Sequence, residues 1–252
     1  MKKVAGWVVV VVAVVAAFSF ITDSYSKANS AGVVSAPSVN VTTNMPGMYD
    51  SLQLDKQGLS REAFNNAVEG YTILVSQGKV SNDQMLSIID FSLPSSQKRL
   101  FVIDMLNKKV LFNTYVSHGR NSGTLMASDF SNDAESLKSS LGFYLTKDTY
   151  KGKHGYSLRL EGEEKGINDH AFERGIVMHS AGYVNESLIR SQGYIGRSEG
   201  CPAIPPALHK AIITKIKNGS CLYIYSPDSY YASHSVLLNK KDSFATERDT
   251  LG

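Results

Sequence analysis

The chain has 252 residues, with 26 Lys and Arg against 23 Asp and Glu, and a formal net charge of +3. That length holds one large domain or two small ones, and so mild a charge lacks the clustered basic footprint of a nucleic-acid binder, so no nucleic-acid partner is expected. Two cysteines, Cys201 and Cys221, with no C-x-x-C pair, exclude a zinc ribbon and a disulfide-dense scaffold.

Lys2 and Lys3 precede an apolar run from Val4 to Ile21, after which polarity returns at Thr22-Asp23-Ser24. A positive start followed by an apolar stretch is the layout of an export signal, so residues 1–23 are expected to be a signal peptide or an N-terminal membrane anchor. Ala28-Asn29-Ser30, before Ala31, offers a cleavage site; without cleavage, residues 4–21 would hold the chain in the inner membrane. Either outcome places the remainder in the periplasm or cell envelope. No Cys lies near positions 20–30, so a lipoprotein anchor has no acceptor. Residues 24–50, rich in Ser, Asn, Val, Thr and Ala without periodicity, read as a flexible linker.

Ser60 is suited to capping a helix through its hydroxyl. After it Phe64, Ala67, Val68, Tyr71, Leu74 and Val75 recur at three- and four-residue spacing, which predicts a helix ending near Gly78. Residues 51–84 are therefore expected to form a helical segment that packs on the domain after it.

From Leu86 the period changes. Leu86–Phe91, Arg99–Asp104 and Val110–Ser117 are short β-branched and aromatic runs separated by turn-like breaks, which predicts an antiparallel meander. Gly142–Thr149, Tyr156–Leu160, Ile176–His179 and Cys221–Ser226 read as further strands. Pro205 to Asn218 reads as a helix with Leu208, Ile212, Ile213 and Ile216 on one face. Tyr230–Leu238 is ambiguous. The domain is expected over residues 85–237, mainly β with flanking helices (α+β), and residues 238–252 are expected to be a disordered tail.

Chemistry concentrates between Gly175 and Pro206. His179 ends an apolar run, and Arg197-Ser198-Glu199-Gly200-Cys201-Pro202 forms a polar turn. A thiolate is the reactive form of cysteine, and a neighbouring imidazole that takes the proton supplies it at neutral pH. Cys201 is thus the candidate nucleophile and His179 its base; a disulfide to Cys221 is the alternative for Cys201, and a structural role the alternative for His179. Cys221 belongs to a strand expected to be buried, where Cys acts as a small hydrophobe. The backbone N–H groups of Gly200 and Cys201 are candidates for stabilising an oxyanion, while Pro202 has none to offer. Ser198 is expected to brace the turn. Arg197 suits a substrate carboxylate, with loop bracing as the alternative. His118 and His154, each beside a glycine, are expected with Tyr156 to line the cleft and meet substrate, with a structural role the alternative for each histidine. No H-E-x-x-H or comparable spacing exists, so neither a metal nor another cofactor is expected.

The order His179 … Ser198-x-Gly200-Cys201 resembles the signature of YkuD-type L,D-transpeptidases, and most closely the murein L,D-transpeptidase catalytic domain family. Similar blocks are Ser87-Ile88-Ile89-Asp90-Phe91-Ser92, Arg99-Leu100-Phe101-Val102-Ile103-Asp104, Ser117-His118-Gly119-Arg120-Asn121-Ser122-Gly123 and Lys153-His154-Gly155-Tyr156-Ser157-Leu158-Arg159-Leu160, so the likeness covers roughly Leu86 to Ser226. The resemblance implies a β-sandwich or partly open barrel that acts as a monomer on peptidoglycan stem peptides, both donor and acceptor, through an acyl-enzyme thioester. It also implies that a backbone carbonyl orients His179. Two positions depart from the commoner pattern: Glu199 stands where many members have His, and Ala203 where they have Arg. Hydrolysis of the same thioester by water, as in a carboxypeptidase or endopeptidase, and a non-catalytic wall-binding module are the alternatives. Loops Asn121–Asn132 and Gly182–Arg197 are expected to wall a second subsite for the acceptor.

Overall fold

The computed structural model describes residues 47–239. The apolar run Val4–Ile21, most of the expected linker and residues 240–252 of the expected tail lie outside the described residues. Among the described residues no helix is long and apolar enough to cross a membrane.

The short β-branched runs form strands because each can bury its side chains on a pleated surface. In chain order these are β1 (Met85–Asp90), β2 (Leu100–Asp104), β3 (Lys109–Thr114), β4 (Gly142–Gly152), β5 (Gly155–Gly162), β6 (Val177–Ser180), β7 (Ala203–Ile204) and β8 (Cys221–Tyr225). They make one eight-stranded sheet in the order β3-β2-β1-β8-β4-β5-β6-β7. The β1–β2–β3 meander is antiparallel as expected, whereas β1 with β8 and β6 with β7 are parallel. β1, β2 and β8 are buried along their whole length, which matches their lack of polar alternation.

Helices account for this two-sided burial. The α1 helix (Met48–Ser51) precedes α2 (Arg61–Ser76), which packs on β1 and β8. Its cap is the expected one: the Ser60 hydroxyl accepts from Ala63 N–H at 3.1 Å. At Gly70 the helix backbone comes so close to the Phe143 ring that a Cβ would collide with it. The α4 helix (His209–Ile216) touches β1, β5 and β6, strands that β8 and β4 separate in the sheet. A helix that reaches both sets requires the sheet to curl around it. Ile212, Ile213 and Ile216 are its buried face.

Curling brings the two ends of the sheet together. The segment after β3 bonds to the segment entering β7: Ser117 N–H donates to Ala203 C=O at 2.8 Å, Ser198 N–H to His118 C=O at 2.9 Å, and Arg120 N–H to Ser198 C=O at 2.8 Å. The sheet is thus a nearly closed barrel, and Cys201 lies in the seam that closes it.

Several boundaries differ from expectation. Met48 and Tyr49, placed in the linker, are buried in the main core, and the Tyr49 hydroxyl donates to Leu59 C=O. Residues 51–84 share that core rather than lying beside it. The helix expected from Pro205 begins at His209; the N–H groups of Leu208 and His209 both donate to Pro205 C=O at 3.1 Å, which closes a separate turn before it. Helix α3 (Glu186–Gln192), capped by Asn185, breaks what reads as a loop, and β7 is too short to show in a pattern. The ambiguous stretch forms α5 (Ser229–His234), capped by Asp228. Tyr231 and Ser235 donate to the buried Glu164 carboxylate, which also accepts from Phe143 N–H at 3.0 Å, so this terminal helix is tied to the core.

Candidate active site

One cavity of about 490 Å³ opens at the seam, and Cys201 and His179 both line it. β6 carries His179, which is only 3% exposed, and pairs it in register with Ala203 of β7, two residues beyond Cys201. Parallel pairing of these two short strands therefore brings the histidine beside the cysteine turn. His179 Nδ1 lies 3.0 Å from Ser180 C=O. A carbonyl only accepts, so the proton sits on Nδ1 and the Nε2 lone pair is free to act as a base. The backbone carbonyl implied by the resemblance is that of Ser180.

The turn around the sulfur is held from within. Ser198 Oγ donates to Cys201 C=O at 2.6 Å and accepts from Gly200 N–H at 3.1 Å. Ser198 thus braces the turn. The Gly200 N–H, expected as an oxyanion donor, is already occupied by that hydroxyl, which leaves the Cys201 N–H, without a partner among the described residues, as the open donor. Gly200 has φ +123°, and a Cβ there would meet Lys138 C=O at 2.7 Å, so only glycine fits the turn. Cys201 Sγ accepts from Val177 N–H at 3.4 Å and points its thiol toward Gly175 C=O at 3.7 Å. Cys221 is fully buried on β8, and both cysteines are free thiols.

Electrostatics sets the resting protonation. Burial raises the pKa of Cys201 above the usual thiol value, opposed by the Val177 N–H and by the charges of Arg174 and Lys153. Burial lowers that of His179, against the Ser180 carbonyl, and His154 and Lys153 lower it further. Both shifts favour a neutral thiol beside a neutral imidazole.

The remaining expected residues divide. His154 reaches the cleft and stacks on His179, ring centroids 4.2 Å apart. Arg197 also lines it, but its Nη1 donates to the carbonyls of Arg120 and Gly123, both at 3.1 Å, so loop bracing accounts for that nitrogen. His118 is a correction: it is fully buried behind the seam. There Arg99 Nη2 donates to its Nδ1 at 2.7 Å and its Nε2 donates to Gly123 C=O at 3.1 Å. Burial and then Arg99 push its pKa down to about 3, so it is a neutral brace. Tyr156 is a second correction, half-buried against the core and absent from the cleft lining. Loop Asn121–Asn132 contributes nothing to the cleft; its residues 128–132 border a separate depression of about 210 Å³. Ala203, the position of the departure from the commoner pattern, is fully buried and pairs in register with His179.

Sequence reasoning did not single out Arg120, Tyr150, Lys153, Arg174 or Tyr183, which all line the cavity. Arg174, just before the His179 strand, rivets the loop of residues 131–140 by donating to Ser131 C=O, Ser140 Oγ, Ser136 Oγ and Lys138 C=O. Its position next to the apolar run was the available signal. Arg120 pairs with Glu199 across the seam, a contact between residues far apart in the chain. Among the described residues no group of three or more His, Cys, Asp or Glu is placed to hold a metal.

A nearly closed, mainly β barrel with a cysteine and a histidine facing one cleft defines a thiol-centred site. The family model described as "L,D-transpeptidase catalytic domain" matches residues 55–225, and the chain belongs to that family. A search of curated proteins gives no match. Among solved structures, an L,D-transpeptidase from Mycobacterium smegmatis aligns at 14% identity and TM-score 0.36, covering 57% of this chain and 59% of its own. One from Mycobacterium tuberculosis H37Rv aligns at 12% and 0.37, covering 57% and 58%. Another, from Xylanimonas cellulosilytica DSM 15894, aligns at 14% and 0.33, covering 61% and 68%. The chain thus spans less than two thirds of the length of the first two.

Proposed function

We propose that the protein is a cysteine-dependent L,D-transpeptidase of peptidoglycan stem peptides, exported to the periplasm or cell envelope. The observation that supports it most is the pairing of a cleft cysteine with a histidine whose Nδ1–H is held by Ser180 C=O, leaving Nε2 as base.

In this reading His179 Nε2 takes the Cys201 proton as the sulfur attacks the carbonyl of the bond between the third, L-configured centre and D-Ala. The Cys201 N–H faces the developing oxyanion. The tetrahedral adduct collapses, the C–N bond breaks, and the imidazolium returns its proton to the departing D-Ala amine. A thioester remains, so no cofactor is needed to carry the activation. An acceptor amine then attacks it, His179 takes the amine proton, and a new peptide bond forms as the thiol is regenerated.

Water competes at the last step, and an enzyme favours the amine by binding it in attack geometry, which raises its effective concentration. The test supplies purified protein with tetrapeptide donor and acceptor and weighs the products. Dimeric stems with little tripeptide are expected. Only tripeptide and free D-Ala at saturating acceptor would make the protein a carboxypeptidase, and no reaction at all would favour a wall-binding module.

A further inference from the structure

The charges lining the cleft are lopsided. Arg120, Lys153, Arg174 and Arg197 face it with Glu199 as the single acid, so the cavity presents net positive charge to whatever enters. Most of that charge is tied to the protein. Glu199 pairs with Arg120, the carbonyls and hydroxyls of the 131–140 loop take four hydrogen bonds from Arg174, and two carbonyls take Arg197 Nη1. Lys153 is the one lining cation with no hydrogen bond or ion pair to protein among the described residues.

Its position is set by the ladder. Lys151 pairs with Tyr156 and Gly152 with Gly155, so Lys153 and His154 are the two-residue tip of the β4–β5 hairpin. Between Thr146 and Thr149 the register shifts, three steps on β4 against two on β5, which bends the outer half of the hairpin. The stack of His154 on His179 fixes the tip at the cleft mouth. Next to it, Lys153 is a compact ammonium on a long stem, suited to a single carboxylate rather than to bidentate clamping.

We infer that Lys153 is a specificity-determining residue that binds a free carboxylate of the donor peptide, so that stems bearing carboxylates are preferred over their amidated counterparts. This rests on the transpeptidase reading for the identity of the peptide, but not for the existence of the anion subsite. An amide retains shape and hydrogen bonding while losing the charge, so discrimination arises from the ion pair alone.

Two measurements separate the claims. The first uses small thiol reagents on the full chain: the ratio of Cys201 alkylation rates by iodoacetate, an anion, and by iodoacetamide, its neutral analogue. The ratio cancels any change in thiolate fraction. For K153Q it should fall about fivefold, the scale of one partly solvated ion pair, and further for K153E, and the wild-type ratio should fall as salt rises. The second compares D-Ala release from a carboxylate-bearing tetrapeptide and its side-chain amide; K153Q should lower the ratio of their kcat/KM values about fivefold, a ratio that cancels any effect of Lys153 on the chemistry the two peptides share. An unchanged alkylation ratio in both variants overturns the subsite, as does an equal change in kcat/KM for the two peptides. If neither peptide releases D-Ala while the alkylation ratio still responds, the subsite stands and the transpeptidase reading falls.

Discussion

Replacing Ser198 with Ala tests whether the turn is braced as the geometry indicates. Ser198 is 5% exposed, and its hydroxyl serves one buried donor, Gly200 N–H at 3.1 Å, and one acceptor, Cys201 C=O at 2.6 Å. Ala removes the hydroxyl on which both bonds depend. A buried N–H left unpaired costs about 1–3 kcal/mol. The carbonyl is nearer solvent and adds less, so urea denaturation should show a loss of about 2–3 kcal/mol. The larger effect falls on chemistry, because the same hydroxyl holds the sulfur and the Cys201 N–H in place. A shift on the order of 1 Å in such a group costs about a hundredfold in rate. D-Ala release from a tetrapeptide should therefore show kcat down about a hundredfold with KM little changed. If Ser198→Ala keeps kcat within about twofold of wild type, the turn does not depend on this hydroxyl and the argument fails.

Cys201→Ala should abolish D-Ala release with an unchanged far-UV spectrum and denaturation midpoint within error, since the sulfur lines a cleft rather than filling the core. Cys221→Ala should retain activity and lose about 1 kcal/mol, the cost of a small cavity on β8; equal inactivation by both would end the assignment of Cys201. A thiol raised by burial beside an imidazole lowered by burial gains thiolate only as pH rises above the ordinary thiol range, so alkylation by iodoacetamide should still be climbing beyond about pH 8.5. A plateau already reached near pH 7 would mean a preformed thiolate–imidazolium pair instead. On the export reading, with the Lys2-Lys3 end held inside, a reporter fused after Gly252 should be active only outside the cytoplasm; activity in the cytoplasm would remove that reading.

Most of the strands, the capped helix after Ser60 and the cysteine and histidine that share the cleft were legible in the amino-acid order. Strand period, cap chemistry and the Cys–Gly neighbourhood are local properties, carried by residues a few positions apart. The linker boundary was misplaced because Met48 and Tyr49 look like any exposed pair until a core forms against them. Which neighbours reach the sulfur was not legible. His118 and His154 share the same local appearance, a histidine beside glycine near a strand end. Register sends one behind the seam to Arg99 and the other onto His179, 25 residues away in the chain. Likewise the Gly200 N–H is a free donor in any reading of the sequence, and the rotamer of Ser198 occupies it. Ser180 C=O, Val177 N–H and the Lys153 tip are backbone and hairpin positions without a side-chain signature. They are placed by parallel pairing of β6 with β7 and by one bulge in β4, contacts that exist only once the sheet has curled and its ends have met.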